Sequence, residues 1–382
     1  MPLDNAGFAS GSVTRDASGA SWRALVRNNS DRPQRREWTV EAGGQRSAGQ
    51  TVELAAGGLV ELSARFPAGV DRIVVRLEAD EFTADDALPL VLPRAKPLGA
   101  SIELDGAPGD FFRRLLGEVD GVAIGVPTPG LRIGRAAGAG GGAEAGIFLA
   151  PSAPGADLKV LRAPIVAEKH PLLADLNWQG WLGAGAAGLR PGPADAPLLW
   201  QADAPLAWLG GSRQQRLHLN FAWEASNAAR LPATVLLLRR FVEGVRDAQP
   251  GPWAQNFDTD APVTLAEADR NMPGAWSLAV APVDGPNGQK SLTDLELATL
   301  RTLGETGFFE LKRGDTTLLR GATQFADARQ GDFRSAQTFV APPAESQTLR
   351  ERHTQADPLA ALWLVLAGLC LLGSWWPGRR RT

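Results

Sequence analysis

With 382 residues, a formal charge of −3 and 44% hydrophobic residues, the chain is long enough for two to four domains with cores of their own, and disorder is not the default reading. That balance, with no cluster of lysine, arginine and aromatic residues, argues against nucleic acid as a partner. The single cysteine, Cys370, lies in the apolar C-terminal run, so the rest of the chain has no internal disulfide, thiolate nucleophile or cysteine-based zinc site.

The 43 glycines and 28 prolines favour turns and short strands over long helical bundles. Residues 1–95 read as a small Ig-like β-sandwich. Between Ser12 and Leu92 the runs SWRALVRNNS, REWTVEAGGQ, GLVELSARFP and RIVVRLEAD alternate in character, and Asn, Gly, Pro or Asp ends them. Trp22, Leu25, Trp38, Val40, Leu62, Phe66, Val74 and Leu77 are the expected core.

Residues 96–248 alternate strand-like and helix-like pieces. GASIEL precedes a helix at DFFRRLLGEV; GVAIGV, AGIFLAP, PLLW, PLAWLG and QRLHLNFAW follow, before a longer helix at TVLLLRRFVEGV. This order predicts an α/β layer, with helices on a partly parallel sheet. Ser226 or Asn227 is expected to cap the last helix, with Pro232 in its first turn.

Residues 249–340 return to short strands, APVTL, AWSLAVAP, GFFELKRG and TTLLRGATQFA, and read as a second small β-domain. LTDLELATLRTLGETG fits a short helix or a strand and turn. Residues 341–357, rich in Pro, Gln, Thr and mixed charge, read as a linker.

Residues 358–377 read as one C-terminal transmembrane helix. Leu359 to Trp376 is uncharged and spans about 27 Å as a helix, near the hydrocarbon thickness. Leu359, Trp363, Leu366, Leu369, Leu372, Trp375 and Trp376 are the expected anchor, in contact with membrane lipid. Residues 378–382 form a basic tail in which Arg379, Arg380 and Arg381 predict a cytoplasmic C-terminus. MPLDNAGFASGSVTRD has neither a basic nor an apolar export region. Export of the bulk then requires upstream helices in a longer protein, which is the favoured reading; the alternative is a tail-anchored protein with its bulk in the cytoplasm.

Chemistry-bearing residues are sparse. His170, His218 and His353 are the only histidines, and none has a partner at metal-ligand spacing. His170, before a proline, reads as a surface turn residue, with pairing to Glu168 or Asp175 as the functional alternative. GGSRQ, Gly210 to Gln214, is no GxSxG elbow. The stretch Gly134 to Gly146 lacks the lysine and hydroxyl residue of a phosphate-cradling loop. Asp80, Glu81, Asp85 and Asp86, in EADEFTADDALPL, read as a solvated loop face, with weak Ca²⁺ binding or acid–base work as the functional alternative. No catalytic, cofactor-binding or metal residue is assigned.

Taken together, DNAGFASGSVTR, VRNNSDRPQRREWTV, VVRLEADEFTADDALPLVLPRAKP, KHPLLADLNW, LHLNFAWEASNAARLPATVLLLRRFVEGV and GFFELKRGDTTLLRGATQFADARQGDFRSA resemble the C-terminal half of bacterial von Willebrand factor A membrane proteins of the Bat, or aerotolerance-regulator, group. The resemblance implies two missing N-terminal transmembrane helices and a missing von Willebrand A domain. It also implies a class I glutamine-amidotransferase-like, flavodoxin-like α/β domain at 96–248, here without its cysteine nucleophile. The expected class is therefore mixed β and α/β. The expected function is a non-enzymatic, membrane-anchored interaction or scaffold protein of the bacterial cell envelope, periplasmic in bulk on the inner membrane. Its implied partners are other envelope proteins of the von Willebrand or Bat type and a MoxR-type ATPase system. An envelope hydrolase or amidotransferase descendant using His170 is the rival.

Overall fold

The computed structural model describes residues 4–16, 19–136, 145–151, 163–183, 189–211, 215–325 and 331–332. Residues 3–333 form one compact unit.

The N-terminal part is a two-sheet arrangement. β1 (Ala6–Asp16), β2 (Gly19–Asn28), β3 (Gln34–Ala42), β4 (Gln45–Arg46), β5 (Gln50–Leu54), β6 (Leu59–Arg65), β7 (Arg72–Leu77) and β8 (Ala87–Val91) follow in sequence. One sheet has the order β1-β2-β6; the other runs β4-β3-β7-β8, with β5 also on β3. Every described pairing is antiparallel, so alternate side chains turn inward. Trp22 and Trp38 meet edge to face at 5.8 Å in a core shared with Phe8, Val26, Leu54, Ile73 and Val75.

The middle sheet has eight strands. β9 (Leu98–Ile102), α1 (Gly106–Gly117), β10 (Val122–Ile124), β11 (Leu131–Arg135), β12 (Ala145–Leu149), β13 (Ile165–Ala167), β14 (Ala196–Gln201), β15 (Ala204–Gly210), β16 (Arg216–Leu219) and α2 (Pro232–Ala248) follow in turn. The spatial order is β10-β9-β11-β12-β16-β15-β14-β13. The first five are mutually parallel and the last three antiparallel.

Two expectations for this region need correction. Pro232 does occupy the first turn of α2, but Leu231 is its N-cap and supplies no side-chain bond. Ser226 and Asn227 belong to the preceding 3-10 turns: Ser226 Oγ donates to the Trp223 carbonyl, and the Asn227 amide binds Gly180 O and Leu182 N. Second, the glutamine-amidotransferase-like, flavodoxin-like α/β class is overturned. Such a layer requires crossover helices covering both sheet faces. Among the described residues only α1 and α2 accompany these eight strands, they pack against each other, and strand predominates over the molecule.

The third sheet contains β17 (Trp253–Asp258), β18 (Trp276–Pro282), β19 (Gly288–Leu292), β20 (Gly307–Arg313) and β21 (Thr316–Gln324), in the order β17-β21-β20-β18-β19. Two short helices, α3 (Glu267–Arg270) and α4 (Asp294–Ala298), lie between its strands. α4 settles the ambiguous LTDLELATL stretch: Thr293 Oγ1 accepts from Glu296 N while the Glu296 carboxylate accepts from Thr293 N, a reciprocal cap that starts a helix.

The transmembrane and inner-membrane expectations are also corrected. No helix among the described residues is long and apolar enough to cross a membrane. The longest, α2, has 17 residues, is amphipathic, and buries Leu237, Leu238, Phe241 and Val242 in the core while Arg239 and Glu243 pair outside. The expected span Leu359–Trp376 and tail Arg379–Arg381 lie outside the described residues, and the membrane placement built on them is withdrawn.

Candidate functional site

Two places concentrate polar chemistry: a buried acidic cluster in the sandwich and a groove beside β17.

The acidic cluster grows from the turn between β7 and β8. A 3-10 turn at Thr83–Asp85 folds the acidic run onto itself. Phe82 N donates to Asp80 Oδ1 at 2.8 Å, and Asp80 N to Asp86 Oδ2 at 2.9 Å. Arg36 reaches in from β3 on the same side as Trp38, with Nη1 2.6 Å from Asp80 and Nη2 2.8 Å from Asp86. Nη2 also donates to the Glu78 carbonyl. Ala6 N donates to Asp80 Oδ2 at 2.9 Å, while Asn5 Nδ2 donates to Asp85 Oδ2 at 2.9 Å and to Gly331 O at 2.8 Å.

Asp80, Asp85 and Asp86 are therefore not a solvated face; of the four acidic candidates Glu81 alone is exposed. Burial pushes the Asp85 carboxyl up to about 7; the charges of Asp86 and Asp80 add to this and the Asn5 hydrogen bond opposes it. Burial also raises Asp86 to about 6 against the pull of Arg36. Arg36 occupies the place between Asp80 and Asp86 where a Ca²⁺ ion would need to sit. Among the described residues no group of three His, Cys, Asp or Glu is arranged to hold a metal.

The other sequence candidates are scattered. His170 Nδ1 accepts from Leu172 N at 3.2 Å, capping a 3-10 turn. Its expected partners do not meet it: Glu168 accepts from Trp200 Nε1 at 3.0 Å, and Asp175 occupies a left-handed turn with φ 59°. His218 stacks between Trp208 (5.2 Å) and Phe148 (5.4 Å), and burial lowers its pKa. Ser212, His353 and most of the stretch Gly134 to Gly146 lie outside the described residues.

Sequence reasoning missed the groove. It is a concavity of 690 Å³ where the segment between β8 and β9 meets α2 and β17, lined by Arg94, Arg239, Glu243, Arg246, Trp253 and Phe257 among others. An antiparallel bridge fixes its floor: Arg94 N donates to Ala254 O at 3.0 Å and Ala254 N to Arg94 O at 2.9 Å. Arg239 pairs with Glu243 and Arg246 with Asp247, each at 2.9 Å. Arg94 is exposed and its guanidinium has no partner among the described residues. Arg94 and Trp253 also line a second hollow of 470 Å³. Beneath the groove Lys96 Nζ lies 2.5 Å from Asp269 and donates to Gln249 O. No local motif announces such a site, because its residues come from distant segments. Arg36 did leave a signal, a charge at the inward parity of a strand.

The comparisons with known proteins give little further direction. A family model described as Domain of unknown function (DUF7407) matches residues 6–89, the sandwich strands without the rest of the chain. No curated protein matches. One similar solved structure is described as a beta-galactosidase from Bacteroides fragilis; it is 13% identical, the alignment covers 32% of this chain and 24% of that one, and the TM-score is 0.18. A likeness that slight carries no argument about fold or activity. Neither match concerns a von Willebrand, aerotolerance-regulator or amidotransferase family, and those assignments go no further.

Proposed function

We propose that the protein is a non-catalytic interaction protein, a set of fastened β-rich modules that presents the Arg94–Trp253 groove to a carboxylate-bearing extended segment of a protein partner. The observation that carries this reading is the groove itself: 690 Å³ of concave surface in which an exposed Arg94, without a partner among the described residues, stands beside Trp253. Arginine and tryptophan together give the fork-like donors and the broad apolar contact on which binding sites rely. The other reactive side chains support it indirectly. Asp80 and Asp86 are held by Arg36, Lys96 by Asp269, His170 by a turn, and His218 lies between two rings.

A photo-crosslinker placed at Gln255, which lines the groove, tests this in the full chain. A discrete protein adduct that is lost on Arg94→Glu, with the fold unchanged, is the expected result. An adduct indifferent to Arg94→Glu sinks the reading. So does turnover of an amide or ester that disappears in His170→Ala with folding intact, which would restore the hydrolase.

A further inference from the structure

The sandwich holds more buried acceptors than donors beside Gly331. Asn5 Oδ1, Asn29 Oδ1 and Asp85 Oδ1 are all buried and have no hydrogen-bond partner among the described residues, on residues 0%, 2% and 3% exposed. Their side chains converge. A Cβ on Gly331 would stand 2.8 Å from Asp85 Oδ2, 3.1 Å from Asn5 Nδ2 and 3.2 Å from Asn29 Nδ2.

The charges are equally unbalanced. Asp80, Asp85 and Asp86 face one guanidinium, and Arg36 is committed to Asp80 and Asp86. On Asp85 the neutral Asn5 amide donates to one oxygen, and the other has no donor among the described residues. A buried anion left in that state is costly. A proton on Asp85 removes the excess charge and converts one of three orphan acceptors into a donor.

We propose that Asp85 is the proton-operated pin of a clasp: protonated, it holds Asn5 at the head of β1 together with Gly331, 326 positions further along the chain, and ionised, it lets them go. The charges of Asp80 and Asp86 act in this direction, while the Asn5 hydrogen bond, one from the Asp85 backbone and the Arg36 cation oppose it, and burial outweighs them. β3 brings Arg36; the β7–β8 turn brings Asp80 and Asp86; the head of β1 brings Asn5, with Asp4 exposed; the end of β2 brings Asn29. Asp332, next to Gly331, is itself engaged.

The sign follows from the carboxyl, raised to about 7 from 3.8, chiefly by burial. The closed clasp holds the proton more firmly than the open one. Opening therefore becomes about tenfold easier per pH unit as pH rises from the ordinary carboxyl range toward 7, and levels off above that, when both forms are ionised.

Hydrogen exchange of the full chain, followed by mass spectrometry and corrected for intrinsic rates, reads the clasp at two amides. These are Ala6 N, bonded to Asp80, and Asn29 N, bonded to Asn5 O. Between pH 5 and 7 their exchange is expected to rise about fiftyfold, while in Asp85→Asn it stays flat. Parallel loss of protection in both proteins overturns the proposal, as does Asp86→Asn flattening the profile in place of Asp85→Asn. A rise in protection on adding Ca²⁺ at pH 8 also overturns it, because a cation would then be what the orphan oxygens bind. Should Asp85→Asn fail to fold, carbon-13 titration of the wild-type aspartate carboxyls decides. A buried carboxyl with its midpoint near 7 supports the clasp, and all midpoints below 5 refute it.

Discussion

Asn256 makes both of its amide hydrogen bonds to the backbone of Val91, 165 residues away: Val91 N donates to Oδ1 at 2.7 Å and Nδ2 donates to Val91 O at 3.0 Å. Val91 ends β8, the outer strand of its sheet, whose backbone groups would otherwise be open to the wrong neighbour. A single side chain here copies the pairing a neighbouring strand would give. Asn256→Ala leaves two buried backbone groups unpaired, so unfolding free energy is expected to fall by about 1–3 kcal/mol. Denaturant titration measures the loss, and the Val91 amide should exchange faster than in wild type. An unchanged Val91 rate would mean that packing between β8 and β21 carries the junction.

The Lys96–Asp269 pair fastens the second junction. Asp269 is fully buried, and Gly251 N donates to its other oxygen at 3.2 Å. Lys96→Met strands that carboxylate and is expected to cost about 3–5 kcal/mol, whereas Lys96→Met with Asp269→Leu should recover most of it, since an apolar pair avoids the desolvation that both ions suffer. A double-mutant cycle by urea unfolding decides. If the double variant is as unstable as the sum of the singles, the pair acts through its surroundings and not through mutual attraction.

The sandwich shows what could and could not be read beforehand. Trp22, Trp38, Leu62, Phe66 and Leu77 are buried as expected, but Leu25, Val40 and Val74 are only half-buried, and Ala24, Val26, Ile73 and Val75 take the interior. Val40 shares the Trp38 face and packs at the margin of the core; for Leu25 and Val74 the cause is parity. Leu25 stands three positions from Trp22 and Val74 three from Leu77, so with a side-chain period of two neither pair can share a face. In continuous apolar runs such as RIVVRL the alternation hides. α2 was legible because apolar spacing and Pro232 agree, whereas its cap was not, because Leu231 offers no side-chain acceptor. The middle region misled because strand-like and helix-like pieces alternate in sequence without a helix following each parallel strand in space. The groove was invisible, since Arg94, Arg246 and Trp253 become neighbours only when three modules pack.

Arg36 should be worth most at neutral and alkaline pH. Arg36→Met removes the only cation that touches Asp80 and Asp86 among the described residues, and unfolding free energy is expected to drop by about 3–5 kcal/mol at pH 7.5. Asp86, already raised to about 6 with Arg36 present, must rise further without it. A carboxyl raised in the folded state favours folding as pH falls through that value toward the ordinary range. The deficit of Arg36→Met should therefore shrink between pH 7.5 and 5. An equal deficit at both pH values in thermal or urea unfolding would assign the loss to the packing of the arginine stem instead.

Gly7 offers the sharpest steric test of the same cluster. It pairs with Arg27 in the β1–β2 ladder, and a Cβ added there would overlap the Asp85 carboxyl carbon and both oxygens. Asp85 cannot swing aside freely, because Asn5 holds one oxygen and the turn that carries it is fixed by Asp80 and Asp86. Gly7→Ala is thus expected to lose about 1–3 kcal/mol through overpacking, although alanine suits a strand backbone better than glycine does. Gly11, on the same strand, is the control. Its added Cβ would meet the ends of Leu88 and Gln324 at 2.7 and 2.8 Å, flexible side chains that can yield, so Gly11→Ala should cost less. If the obstruction is the Asp85 carboxyl, Gly7→Ala made in an Asp85→Ala background should cost almost nothing, and the two substitutions should couple strongly in a cycle. Simple additivity would show that β1 itself rejects the side chain at position 7, and that Asp85 lies close to the strand without constraining it.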